Sequence, residues 1–244
     1  MSHFKKYILV LCVLTGLAVS IWFWIDQSGL FSLIRPQEAE KQTLHFYRDP
    51  LRSLAKIRLK IFYAVPVNKL AYGGWHDLAP EVLEDAVKFH SVQFRGLSIL
   101  TYDIYPKPFF LEKEAVFYDT ENTNRGNPEG LKNVVLEIEQ KTQDFLKVEP
   151  DEFLVIAVIY EGVGASGTDG ALILNRQFLV DPQYQKFRSS LFYHEFGHTL
   201  GLPDRYDLEH SIPYSNDIMG AGRRKPIDIT YLDRELLKEM GLIR

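Results

Sequence analysis

The pentapeptide His194-Glu195-Phe196-Gly197-His198 places two imidazoles and a carboxylate within five positions. On a helix, residues four apart share a face, so His194 and His198 can aim neutral ring nitrogens at one metal ion. Glu195 projects in a neighbouring direction, from which it can take a proton from metal-activated water without being a ligand. Two ligands and one base are the parts that hydrolysis needs. Chance places such a pentapeptide in on the order of 1% of chains of this length. The continuation makes chance a much poorer account. Gly201 can adopt positive φ and end the helix, and Pro203 stops any further turn. Asp204 then has the reach to swing beneath the metal as a third ligand, and three protein ligands with one open position are what catalytic zinc requires. The bland reading makes the histidines helix-face residues and Asp204 a turn former. Asp217, 19 residues after His198, competes for the third place, and His210 does so more weakly.

The stretch from His194 to Asp204 resembles the H-E-x-x-H-x-x-G-x-x-H/D signature of the metzincin zinc metalloproteases. Its aspartate form, with Gly201-Leu202-Pro203-Asp204 after the second histidine, is similar to the snapalysins and the immune-inhibitor-A type bacterial proteases. Metzincins also carry a Met-turn beneath the metal, and Ser215-Asn216-Asp217-Ile218-Met219-Gly220 puts Met219 21 residues after His198, a fitting distance. The resemblance implies a zincin-like α/β (α+β) fold, with a mixed twisted sheet, an active-site helix and a C-terminal helix. It implies Zn2+ held by His194, His198 and Asp204, with Glu195 as general base in an endopeptidase. It also implies a peptide or protein substrate laid along an edge strand beside the metal. Two features depart from the family. Ala221 stands where some members have a tyrosine that assists the transition state, with Tyr206 and Tyr214 the nearest substitutes. Cys12 lies too far into an apolar run to act as a latency switch.

Such a site must be held by a sheet and helices. Residues 56–66 alternate as a strand, 97–105 are rich in β-formers, and 153–160 (FLVIAVIY) form an unbroken apolar run expected in a buried strand. Residues 171–180 read as a further strand, the candidate for the substrate-receiving edge that the metzincin resemblance implies. Helical spacing marks 79–94, 127–148, 185–200 and about 229–240, the last ending at Gly241. The order predicts a mixed sheet with helices packed on it. Gly162, Gly164 and Gly167 match G-x-G-x-x-G, but Thr168-Asp169-Gly170 and then a β-rich run follow where a phosphate-binding helix should open. That segment therefore reads as a loop between strands that borders the cleft.

The chain has 244 residues, and a net charge of -4 gives no basic signal for nucleic acid. Its one cysteine rules out an internal disulfide and a cysteine zinc ribbon. Residues 7–25 are uncharged and long enough to span a bilayer, with Lys5 and Lys6 before them. The expected organisation is a cytoplasmic tail at 1–6, a signal-anchor helix or signal peptide at 7–25, and a linker at 26–50. The catalytic domain at 51–244 would then face outward on the cell membrane, or be secreted if the leader is cleaved. A surface binding domain without turnover, or a zinc amidase or esterase acting on cell-envelope material, would use the same ligands. The intact Glu195 and the Met-turn favour a peptidase.

Overall fold

The structure, a computed structural model, describes residues 44–120, 129–205 and 215–242. The expected membrane segment and most of the expected linker lie outside them. Among the described residues no helix is long and apolar enough to cross a membrane.

A sheet of six strands organises the unit Thr43–Arg244. Strands β3 (Lys56–Val65), β4 (Ile99–Ile104), β5 (Phe109–Phe110), β6 (Phe153–Tyr160), β7 (Ala165–Thr168) and β8 (Ala171–Asn175) run in the order β4-β3-β6-β8-β7, with β5 continuing the β4 side of β3. The pairings are parallel except for β7 against β8, which is antiparallel. The sheet is thus mixed, as the element order predicts.

The apolar runs are continuous because both faces are covered. Side chains alternate across a strand, so Ile57, Leu59, Ile61, Phe153, Val155, Leu172 and Leu174 enter one core. Phe62, Ala64, Ile156, Val158 and Ile173 enter the other. Helices α1 (Pro80–Gln93) and α5 (Arg188–Thr199) pack on the first face. The second face is covered by α3 (Gly130–Lys141) together with the short α2 (Ala115–Tyr118). A further short helix, α4 (Gln177–Val180), follows β8.

Several expectations need correction. The strand expected at 171–180 ends at Asn175, and it is internal, between β6 and β7. Residues Gln177–Val180 form a helical turn. The edge strand on that side of the sheet is β7, which occupies part of the glycine-rich stretch expected to be a loop. Its Ala-Ser-Gly-Thr sequence has no apolar alternation, so it is a strand only because β8 pairs with it. The signal that announces it is Asp169-Gly170, a two-residue hairpin turn with Gly170 at φ +71°. The helix expected over 127–148 runs from Gly130 to Lys141, after which Phe145 sets its ring edge-on to Phe62. The last helix, α6 (Arg234–Glu239), starts later than expected because residues before it are committed elsewhere. Tyr231 N–H donates to Asn216 O and Tyr231 O accepts from Ile218 N–H, while Asp233 caps the helix through Glu235 N–H at 2.9 Å. The folded unit also begins before Leu51. A hairpin of β1 (His45–Phe46) and β2 (Asp49–Ser53) opens it, with Leu44 and Phe46 buried in the core.

Candidate metal centre

Helix α5 carries the histidines, and its surroundings explain their aim. His194 is buried and His198 half-buried. His194 Nδ1 donates to Ile218 O at 2.9 Å, and His198 Nδ1 donates to Leu202 O at 2.7 Å. A backbone carbonyl only accepts, so each neutral ring carries its proton on Nδ1 and turns the Nε2 lone pair inward.

The third acceptor arrives through the helix end. Gly201, at φ +92°, closes α5 with Leu202 N–H on Gly197 O at 3.1 Å and Gly201 N–H on His198 O at 3.0 Å. This is the paired C-terminal cap that a left-handed glycine permits. It turns the chain back so that Asp204 Oδ1 stands 3.2 Å from His194 Nε2 and 3.3 Å from His198 Nε2. The three donor atoms lie within 4.8 Å of one another.

Two imidazole lone pairs and a carboxylate facing one another repel unless a cation lies among them. Ligand bonds of ~2.0–2.1 Å in a tetrahedron give an edge of about 3.3 Å, which the two separations of Asp204 Oδ1 from the histidines match. The donor set therefore fits a zinc-sized ion. Burial pushes His198 toward the neutral form, but its contact with Asp204 and the charge of Glu195 outweigh this and raise its pKa. Burial also pushes Asp204 upward, and its bonds to both histidines outweigh that and hold its carboxyl well below the usual range. Glu195 is raised by burial, against the lowering fields of His194 and His198.

Three glycines set the approach of the surroundings. A Cβ at Gly197 would lie 2.5 Å from Met219 Sδ, so glycine there admits the buried methionine against the site helix. A Cβ at Gly167 would fall on Glu195 O and lie 2.8 Å from His198 Cβ, so glycine brings edge strand β7 directly onto the helix beside the site. At Gly201 a Cβ would enter the ring of Tyr47.

The structure thus brings His194, His198 and Asp204 together, and packs Met219 against the helix that carries the histidines, at Gly197. It places Asp217 elsewhere. Asp217 is buried, accepts from Met219 N–H at 3.2 Å, and meets Arg205 Nη1 at 3.3 Å. Arg205 also pairs with Asp233 and donates its N–H to Met219 O at 2.8 Å. His210, Tyr206 and Tyr214 lie outside the described residues. Sequence reading missed the carbonyls of Ile218 and Leu202, which carry no residue signal, and the closeness of Gly167.

No family model matches the chain, and no curated protein sequence matches it. Among solved structures, wild-type OgpA from Akkermansia muciniphila is similar at a TM-score of 0.46 and 18% identity, over 74% of this chain and 58% of that one. Catalytically inactive OgpA from the same organism, in complex with an O-glycopeptide, gives 0.48 and 16% over 75% and 58%. Metalloproteinase-II from Bacteroides fragilis gives 0.43 and 12% over 80% and 53%. The chain spans less than three fifths of the length of each. These are likenesses of chain course at low identity, and the chemistry of the site is read from its own atoms.

Proposed function

We propose that this chain is a zinc-dependent endopeptidase of metzincin type, with His194, His198 and Asp204 as the metal ligands and Glu195 as the general base. The observation that supports this best is the convergence of three acceptors within 4.8 Å of one another, with both Nδ1 protons committed to backbone carbonyls. Two histidines and one carboxylate suit catalytic zinc, which keeps a fourth position for water. Zinc supplies Lewis acidity, which acidifies water and polarises a carbonyl.

The chain's own groups do the rest. The Glu195 carboxylate takes the proton of the attacking water and returns it to the leaving amine. Its burial beside the site raises its proton affinity, which suits it to hold that proton between the two transfers. Strand β7 has β8 on one side, and its other side can pair with an extended peptide by strand addition. The apolar run at 7–25 would tether the enzyme with this site outside the cytoplasm.

The test measures bound zinc by elemental analysis and casein hydrolysis in the purified full-length chain. Wild type should hold one zinc and cleave. Glu195→Gln should keep zinc and lose nearly all cleavage, on the order of a thousandfold or more. A wild-type chain without zinc, or a Glu195→Gln variant with normal rates, sinks the proposal. Zinc with turnover of cell-wall fragments and not of casein would point to an amidase instead.

A further inference from the structure

Two hairpin tips meet over the C-terminal end of the site helix. Tyr47 and Arg48 are the two turn residues between β1 and β2. Asp169 and Gly170 are the two turn residues between β7 and β8. Tyr47 OH donates to Asp169 Oδ1 at 3.0 Å, and Arg48 pairs with Asp169 Oδ2. Gly170 N–H, in turn, donates to Thr199 O at 3.1 Å, in the last turn of the helix.

Tyrosine and arginine are poor choices for making a turn, where Gly, Asn and Asp serve. Their side chains have another use here. The Tyr47 ring lies against Gly201, filling the space that a Cβ would take. Gly201 is the residue whose positive φ delivers Leu202 O to His198 and Asp204 to both histidines. One side chain therefore touches both walls of the site. Its ring presses on the turn that leads to the third acceptor, and its hydroxyl holds the turn of the edge strand. The hairpin has a firm base from which to do this. Phe46 is buried with its ring centroid 5.1 Å from that of Phe153, and Leu54 N–H donates to Leu44 O at 2.9 Å. The Arg48 pair contributes little, because its guanidinium side is mostly exposed.

We infer that Tyr47 is a positioning residue with two separable roles, the hydroxyl setting the edge strand that receives substrate and the ring setting the turn that carries Asp204. This rests on the endopeptidase reading above. The two roles predict different losses. Tyr47→Phe keeps the ring and frees Asp169, so KM for a long unstructured peptide should rise about two- to tenfold, the range that one hydrogen bond supplies. Its kcat and zinc affinity should stay unchanged. Asp169→Ala should behave likewise, and Asp169→Asn, which keeps an acceptor for the tyrosine, should restore the wild-type KM. Tyr47→Ala should in addition weaken zinc binding, by about tenfold or more.

The experiment uses the full-length chain, with zinc affinity by competition against a chelating dye, kinetics on long and short peptides, and amide hydrogen exchange. Faster exchange at Gly170 and across Ala165–Thr168 in Tyr47→Phe reports the latch whether or not the chain hydrolyses anything. Unchanged exchange and unchanged KM in Tyr47→Phe and Asp169→Ala overturn the inference. Faster exchange in a wild-type background that binds no zinc would leave the latch standing and remove the endopeptidase reading. Should Tyr47→Ala fail to fold, Tyr47→Phe still decides the hydroxyl's role.

Discussion

Single side chains set this centre, and their costs can be weighed against each other. Gly197 lies inside a helix, where alanine ordinarily gains about 0.5–1 kcal/mol over glycine. Here the added methyl would meet Met219 Sδ at 2.5 Å inside a closed core. Overpacking of that kind costs about 1–3 kcal/mol, so the clash wins. Gly197→Ala should lower the urea unfolding midpoint and weaken zinc retention, and an unchanged or raised midpoint would mean that Met219 has room to move. Under the proposed function, His198→Ala removes one of the three proposed ligands and leaves one histidine and one carboxylate. It should leave the purified chain without stoichiometric zinc by elemental analysis.

At the scale of elements, the loop before α6 is a scaffold for the site. Asp217 ties it together from the inside, accepting from Met219 N–H and meeting Arg205. The backbone bridge to Tyr231 holds it to the chain before the last helix, and Ile218 O aims His194. The roles of the two aspartates separate in their amide variants. If Asp204 is the third ligand as proposed, Asp204→Asn exchanges an anionic group for a neutral one and should cost zinc affinity steeply. Asp217→Asn keeps an acceptor for Met219 N–H and should retain most of the zinc, whereas Asp217→Ala should lose about 1–3 kcal/mol of stability through the unsatisfied buried groups. Equal loss of zinc in both asparagine variants would make Asp217 a ligand after all.

Across the whole molecule, α1 and α5 are joined through a buried polar chain. Ser98 Oγ donates to Leu54 O at 2.6 Å, so it accepts from His90 Nε2–H at 2.8 Å. His90 Nδ1 is left as the acceptor for Tyr193 OH, also at 2.8 Å. This arrangement needs neutral His90, and burial lowers its pKa to about 3. An unfolded histidine titrates near 6.5. Between these values the unfolded state binds the extra proton, so stability rises with pH across that window. The contribution is complete above about 6.5, and falls by up to ~1.4 kcal/mol per pH unit as acid is added, until His90 itself is protonated in the fold. Urea midpoints at pH 7, 5.5 and 4, taken in the presence of chelator, should fall more steeply for wild type than for His90→Gln. Parallel slopes would place the acid sensitivity in other groups.

What the sequence by itself determined is what local geometry dictates. Spacing of four on a helix puts His194 and His198 on one face, and Gly201 with Pro203 ends that helix and turns the chain toward Asp204. The uninterrupted run from Phe153 to Tyr160 is a strand covered on both faces, and its bounds were legible to the residue. Both aspartates remained open as third ligand, because sequence distance does not say where a loop folds. Only the tertiary structure decided between their surroundings, by pairing the Asp217 loop with Tyr231 and Arg205 and leaving Asp204 Oδ1 before both imidazoles. It likewise decided which strand is the edge, since a short run of small residues becomes a strand only when a neighbour supplies its hydrogen bonds. The tautomer of each histidine and the contact of Tyr47 with Asp169, 122 positions apart, depend on groups that meet only after the chain has folded.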